Sequence, residues 1–472
     1  MLRICSLLIS LSFLPFVVSI FQQAHYSIKG YFNYFTRHFY LELLFILMNL
    51  VYFINCYLGI SLAFLFSIYL IILFCKLRLK LKLTKRIYRL LLIIMPFVLI
   101  GSYLCLNYLL IYLLIIPFFI SKLLETKINN YYLHKAMKKR DEFKGDVIAI
   151  TGSFGKTTTK YFTSQILESL LVLPTNASYN TLNGISLTFN ENNINYFNSL
   201  ILEFGSNHLN DISLLCKSFK PTISIVTGIG PMHLDSFKTI DNIIKEKMSI
   251  TNELHSNEIA ILNYDNEYIK NYKYDSKAYI ISYGKAADFS YKIRDDKIKI
   301  FAYGVFLFEF NQNNYDDIDV SNMMPGIILG ILNKIKNEEL IYRLEHIKRP
   351  SSRQFIYEIN DCILIDDSFN SNLVGALKAL DILKQYDKKK IIITPGFVEC
   401  KDVLKDLYKK YAKKINEICD YAYIVKLDTS KSLFDLITIN HSYVKSVDDA
   451  RRRIKWKSEA ILIENDVPDI YL

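Results

Sequence analysis

Lys156 stands between a glycine and three threonines in "AITGSFGKTTTKYF", residues 149–162. The run "DVIAI" (146–150) before it reads as a buried strand, and Phe162, Ile166 and Leu170 recur after it at helical spacing. Strand, glycine-rich turn and helix form the setting in which backbone N–H groups and a helix N-terminus cradle phosphate. In that setting Gly152, Ser153 and Gly155 form the turn and Lys156 reaches the β and γ oxygens of a nucleotide. Thr157 offers its hydroxyl to Mg2+, and Thr158 completes the nucleotide-binding set. The spelling is shorter than the usual GxxxxGK[ST], because Ile150 stands at the first glycine of that pattern.

Further landmarks follow in order. They are "PTNASYNTLNGISLTF" (174–189), "LILEFGSNHLNDI" (200–212), "PMHLDSF" (231–237), Lys247, "ILNYDNE" (261–267), and "RPSSRQF" followed by "LIDDSFNSN" (364–372). With the phosphate loop they resemble the Mur ligases, closest to the MurF branch. The match is good over 146–375 and loose beyond. It implies a P-loop central α/β domain over 146–345 and a Rossmann-like α/β domain over 346–472. The implied reaction joins a carboxylate to an amine through an acyl phosphate, forming ADP. In the MurF branch it adds D-alanyl-D-alanine to UDP-MurNAc-tripeptide in peptidoglycan synthesis.

The resemblance also implies roles. Glu203 would share Mg2+ with Thr157, and His233 with Lys247 would hold a second Mg2+. Lys247 follows His233 by fourteen residues, the family's spacing for a carbamoylated lysine. A lysine ammonium cannot ligate a cation, whereas its carbamate can. Asn263 and Asp265 would lie at the adenine of ATP, Arg353 at phosphate and Asp367 at the ribose. Asn180, Thr181, Asn370 and Asn372 would contact substrate, and His208 would assist proton transfer from the amine. Plainer readings stand beside these: a solvated helix lysine at 247, an Asx turn at Asp366–Asp367, and a satisfied polar histidine at 208.

The first 125 residues differ in kind. Residues 4–21 are apolar and follow Arg3; residues 39–75 carry Glu42 as their one acid before the basic stretch, and 88–122 form another apolar stretch. About 20 residues span a bilayer as a helix, so four or five membrane helices are expected over 1–125. Between the later pairs, residues 76–89 hold seven Lys/Arg and no acid, which places that loop and the remainder of the chain on the cytoplasmic side. The expectation is a multi-pass protein of the inner (cytoplasmic) membrane with cytoplasmic catalytic domains, joined by a charged linker over 126–145.

The formal charge of +11 comes without a nucleic-acid-binding motif, and the basic excess flanks apolar segments, so no nucleic-acid partner is expected. The eight cysteines form no CxxC pair, which argues against a zinc knuckle or a disulfide framework. Three departures from the family bear on the substrate. Apolar segments occupy the place of the usual uridine-binding domain, and Leu373 replaces a proline. The final strand "EAILIEND" (459–466) runs into "VPDIYL" where the MurF branch commonly shows a Lys-Gly-Ser-Arg ending. With these departures, the resemblance implies as partners a UDP-linked or lipid-linked cell-wall precursor and a D-amino-acid dipeptide or amino acid. The alternatives are a ligase for another envelope polymer such as polyglutamate, an ATP-binding scaffold, or a transporter ATPase, the last lacking an "LSGGQ" signature.

Overall fold

A computed structural model describes all residues except 1, 42, 45–46, 48–55, 78–80, 105, 107–108, 177–178, 233, 274, 314, 350–354, 360, 369–372, 398–403 and 466–472. The described residues fall into two compact units divided between Asn130 and Tyr131.

The first unit is helical, with Leu2–Gln23, Ile28–Arg37, Cys56–Lys76 and Lys85–Tyr103 ahead of Ile115–Glu142. Two of its helices, Arg3–Gln23 and Lys85–Tyr103, are long and apolar enough to cross a membrane. Inward-facing aromatics build its core, and Phe21 stacks on Phe118 with ring centroids 3.8 Å apart. Lys85–Tyr103 turns Leu92, Leu99 and Ile100 outward, each at least half exposed. Arg89 makes a two-pronged bond to Glu125 at 2.7 and 2.8 Å, a geometry the rigid guanidinium fork favours. Glu42 lies outside the described residues. The stretch read as a charged linker lies mostly in the second half of a continuous helix, Ile115–Glu142.

In the second unit a nine-stranded sheet runs in the order β2-β3-β1-β4-β5-β6-β7-β8-β9. Its parallel part comprises β1 (Asp146–Thr151), β2 (Val172–Pro174), β3 (Ser199–Glu203), β4 (Ile223–Val226), β5 (Ile259–Asn263) and β6 (Tyr279–Tyr283). Alternate residues of β1 bury on opposite faces. Ile148 and Ile150 join a core with Phe162 and Ile166, while Val147 and Ala149 join one with Phe189, Phe204 and Phe219. Cover on both faces is why this strand reads as an unbroken apolar run. From β6 the sheet continues as an antiparallel ribbon, β7 (Phe289–Arg294), β8 (Lys297–Ala302) and β9 (Val305–Asn311).

The chain leaves β1 toward β2 and β3 on one side, then crosses to β4 and β5 on the other. In an open parallel sheet such a reversal opens a crevice at the carboxyl ends of the strands. Helix Lys156–Ile166 begins there, directly after β1.

A six-stranded sheet follows in the order β10-β11-β15-β12-β13-β14. It is parallel except for β10 (Phe355–Ile359), which pairs antiparallel with β11 (Cys362–Asp367). The others are β12 (Lys389–Thr394), β13 (Tyr421–Val425), β14 (Asn440–Val444) and β15 (Glu459–Glu464). Asp319, in the helix Asp317–Leu332 of the first sheet's layer, receives Arg349 at 2.6 Å and Lys378, from helix Leu373–Lys384, at 3.1 Å. Burial alone would raise the Asp319 carboxyl, but Lys378 and Arg349 hold it below the usual carboxylate range.

Within the second unit, two cations near Glu142 close neighbouring helices of the nine-stranded sheet's layer. Lys139 donates to the carbonyls of Phe189, Asn190 and Asn192, closing helix Leu182–Glu191. Arg140 donates to those of Phe219, Lys220 and Phe143, closing helix Asp211–Phe219. Positive charge at a helix C-terminus meets the negative end of the backbone dipole.

Candidate functional site

The loop after β1 takes backbone angles that only glycine adopts freely. Gly152 has φ +151° and Gly155 φ +84°, and a Cβ on Gly152 would lie 2.3 Å from the Thr227 hydroxyl. Ser153 is tied across to the loop that follows β4: its hydroxyl donates to the Gly230 carbonyl at 3.0 Å and accepts from the Gly230 amide at 3.1 Å. The Ser153 hydroxyl thus shapes the loop from behind. No side chain caps the first turn of helix Lys156–Ile166, as suits an N-terminus that meets an anion. Thr158 lies in that turn, and Lys156 folds its ammonium onto the Gly152 and Ser153 carbonyls at 2.7 and 3.3 Å.

At the end of β3, next to β1, Glu203 meets this helix. Thr157 Oγ1 lies 3.1 and 3.0 Å from its two carboxylate oxygens. Two adjacent ligands of an octahedral cation at about 2.1 Å stand about 3 Å apart, so this hydroxyl and carboxylate fit a Mg2+ site. Among the described residues no group of three His, Cys, Asp or Glu gathers to hold a metal. One carboxylate and one hydroxyl suit Mg2+, which commonly takes its remaining ligands from water and phosphate. Asn180 donates to Glu203 at 3.4 Å.

A cavity of about 500 Å³ opens at the loop. Gly152, Ser153, Lys156, Asn180, Thr181 and Lys247 all line it, so residues nearly a hundred positions apart converge. Thr181 also caps helix Leu182–Glu191 by accepting from the Gly184 amide. Lys247 is 4% exposed, and its Nζ bonds the Ser206 hydroxyl at 2.6 Å. Its neighbour Glu246 turns the other way, accepting from the Asn210 and Ile212 amides at 2.7 and 2.8 Å. Lys247 makes no salt bridge among the described residues. Burial, reinforced by the charge of Lys156, pulls its amine down to about 7.

The other expected residues lie elsewhere. Asn263 ends β5 and donates to the Thr227 carbonyl at 2.7 Å, and Asp265 accepts from the Lys285 amide at 2.7 Å. Asp367 ends β11 in the second sheet, paired in register with Glu464 of β15. His208 stands outside the cavity lining, its side chain 75% exposed beside Asp211. His233, Arg353, Asn370 and Asn372 lie outside the described residues.

Sequence reasoning missed Lys160. Its ammonium lies 3.2 Å from Glu203 Oε2, and both side chains are at most 5% exposed. The available signal was its spacing, four residues after Lys156 and hence on the same helix face. Ser206, which holds Lys247, was inside a quoted landmark but carried no assignment.

A glycine-rich loop at the reversal point of a parallel sheet, opening a helix whose threonine meets an acid from the next strand, defines a P-loop α/β protein. Residues 150–327 match the Mur ligase middle domain. A UDP-N-acetylmuramoyl-tripeptide–D-alanyl-D-alanine ligase of Haemophilus influenzae is 25% identical over 299 residues, 61% of this chain and 64% of its own. The enzyme of that name from Rickettsia prowazekii is 29% identical over 352 residues, 70% and 77% of the two chains. The fold is similar to MurF from Acinetobacter baumannii, with a TM-score of 0.61, 19% identity and coverage of 72% and 77%. MurF ligase from Thermotoga maritima in complex with ADP gives 0.60 at 20% identity, covering 72% and 80%. The chain thus spans just under two thirds of the Haemophilus relative's length. It contains a Mur ligase middle domain.

Proposed function

We propose that this protein is an ATP-dependent, ADP-forming amide ligase of the MurF type, which adds D-alanyl-D-alanine to UDP-MurNAc-tripeptide in peptidoglycan synthesis. The observation that carries the reading is the convergence of Lys156, Asn180 and the buried Lys247 around one cavity, with the Thr157–Glu203 pair joined to it through Asn180. The names of the Haemophilus and Rickettsia relatives supply the donor and acceptor.

In the proposed reaction an oxygen of the donor carboxylate bonds to the γ-phosphorus of ATP, and ADP leaves. The amine then attacks the activated carbonyl, loses a proton and expels phosphate, which keeps the bridging oxygen. Phosphoryl transfer of this kind asks a protein chiefly for positioning and charge neutralisation. The loop amides and the start of helix Lys156–Ile166 would hold the phosphates, with the Lys156 ammonium exchanging loop carbonyls for phosphate oxygens. Thr157 and Glu203 would hold Mg2+, which neutralises charge on the phosphates. Asn180 and Thr181 would orient the donor carboxylate in the cavity, while Asn263, Asp265, Arg353 and Asp367 would face the nucleotide. Asn370 and Asn372 would meet the acceptor side.

Lys247 suits carbamoylation: its amine is buried, faces the cavity and lacks a carboxylate partner among the described residues. The carbamate, with His233, would give a second cation its anionic ligand. We also place the first unit in the inner membrane, because Arg3–Gln23 and Lys85–Tyr103 have the length and apolarity to span it. Leu92, Leu99 and Ile100 would face lipid. That placement favours a second reading, in which the donor is itself lipid-linked.

The test is ADP release by the full chain in detergent, with mass analysis of products. UDP-MurNAc-tripeptide is supplied with D-alanyl-D-alanine, D-alanine, L-glutamate or no amine. A product dependent on D-alanyl-D-alanine is expected. ADP release that responds only to another amine would move the enzyme to a different envelope polymer.

A further inference from the structure

Lys160 lies one turn beyond Lys156 on the phosphate-loop helix, with its side chain 5% exposed. Its ammonium is 3.2 Å from Glu203 Oε2 and 3.3 Å from the Thr175 hydroxyl. The Glu203 side chain is 2% exposed, and it also meets Thr157 through both oxygens and Asn180 through Oε1. A carboxylate this deeply buried needs a compensating charge, and a fixed internal cation supplies it.

We propose that Lys160 is a positioning residue acting through Glu203. As a built-in counter-ion it holds divalent cations away from the Thr157–Glu203 pair until a nucleotide's phosphates arrive, so that cation and nucleotide bind as a coupled pair. The proposal rests on the nucleotide and Mg2+ reading above. It follows from the local charges. Without phosphate, the single negative charge of Glu203 is already matched by Lys160, and Lys156 adds a further positive charge at the loop. A divalent cation entering there meets net repulsion. The phosphates of a bound nucleotide reverse that sign, and linkage requires each partner to tighten the other by one common factor. Removing the Lys160 charge should therefore strengthen cation binding alone and weaken the coupling. A purely structural lysine would produce neither effect.

The experiment is a Mn2+ titration followed by electron paramagnetic resonance, with and without ADP, on the full chain in detergent at constant pH. Wild type, Lys160→Met and Lys160→Arg are compared, with circular dichroism confirming the fold. Wild type should bind Mn2+ at least tenfold more tightly with ADP present. Lys160→Met should bind Mn2+ alone at least tenfold more tightly than wild type, with its ADP dependence reduced in proportion. Lys160→Arg should keep the wild-type pattern. A folded Lys160→Met with wild-type Mn2+ affinity and coupling overturns the proposal while leaving the nucleotide reading intact. If that variant does not fold, Lys160→Gln takes its place with the same two readings, and tight wild-type Mn2+ binding indifferent to ADP overturns the proposal. Failure of wild type to bind ADP with Mn2+ overturns the nucleotide reading, and the Lys160 proposal with it.

Discussion

Replacing Glu464 by glutamine should make the protein more stable in mildly alkaline solution. Glu464 ends β15 with no exposed surface, and one of its oxygens accepts from Thr394 at 2.7 Å and from Tyr411 at 3.0 Å. The other oxygen has no hydrogen-bond partner among the described residues. Burial, reinforced by the nearby Asp367, pushes its carboxyl up to about 8, against the two hydrogen bonds that favour ionisation. An unfolded glutamate titrates near 4.3. Between about 4.3 and 8 the native state therefore holds a proton that the unfolded chain has released. Stability from this group is full below the unfolded value and falls by about 1.4 kcal/mol per unit as pH rises, in all about 5 kcal/mol. Glutamine removes that slope. Its amide hydrogens would, however, occupy the place where an oxygen already lacks a partner, at a cost of about 1–3 kcal/mol. Glu464→Gln should thus be about 2–4 kcal/mol more stable than wild type at pH 8, and equal or slightly less stable at pH 5. Thermal unfolding can be followed through Trp456, the chain's single tryptophan, three residues before β15. Parallel pH profiles for wild type and Glu464→Gln would refute the reasoning.

Other expectations follow from the site and its supports. Arg140→Ala strips hydrogen bonds from three carbonyls at the end of helix Asp211–Phe219 and nearby; a loss of about 2–4 kcal/mol is expected by thermal or denaturant unfolding. Lys156→Ala removes the loop's cation and should weaken ADP binding about 10- to 100-fold by calorimetry, matching the loss of charge-assisted bonds of about 1.5–3 kcal/mol. Lys247→Ala should abolish amide formation and recover part of it when a small carboxylic acid is added; turnover at the wild-type rate without the acid would rule out the carbamate.

The phosphate loop was legible because its chemistry is local. Convergent backbone amides need glycines at Gly152 and Gly155 and a lysine directly after, all within six residues. The strand "DVIAI" was legible because a strand covered on both faces is apolar throughout. β14 escaped notice, since "NHSYV" at a sheet edge carries no such run. The helical continuity of 115–142 was partly masked by the change from apolar to charged sequence at residue 126, although both halves suit a helix. Lys160 was invisible for a different reason. Nothing in its immediate neighbours says that a lysine will be buried; that depends on Glu203, forty-three residues away on a neighbouring strand. Ser153 shows the converse: it sits in the loop, but its hydroxyl holds Gly230.

The central claim is an amide ligase working through an acyl phosphate, and oxygen transfer tests it most directly. The donor carboxylate is labelled with 18O and turned over with ATP and D-alanyl-D-alanine, and the released phosphate is weighed by mass spectrometry. The account predicts one 18O in each phosphate, carried from the carboxylate through the bridging oxygen. Phosphate without label, released alongside the amide product, would contradict it.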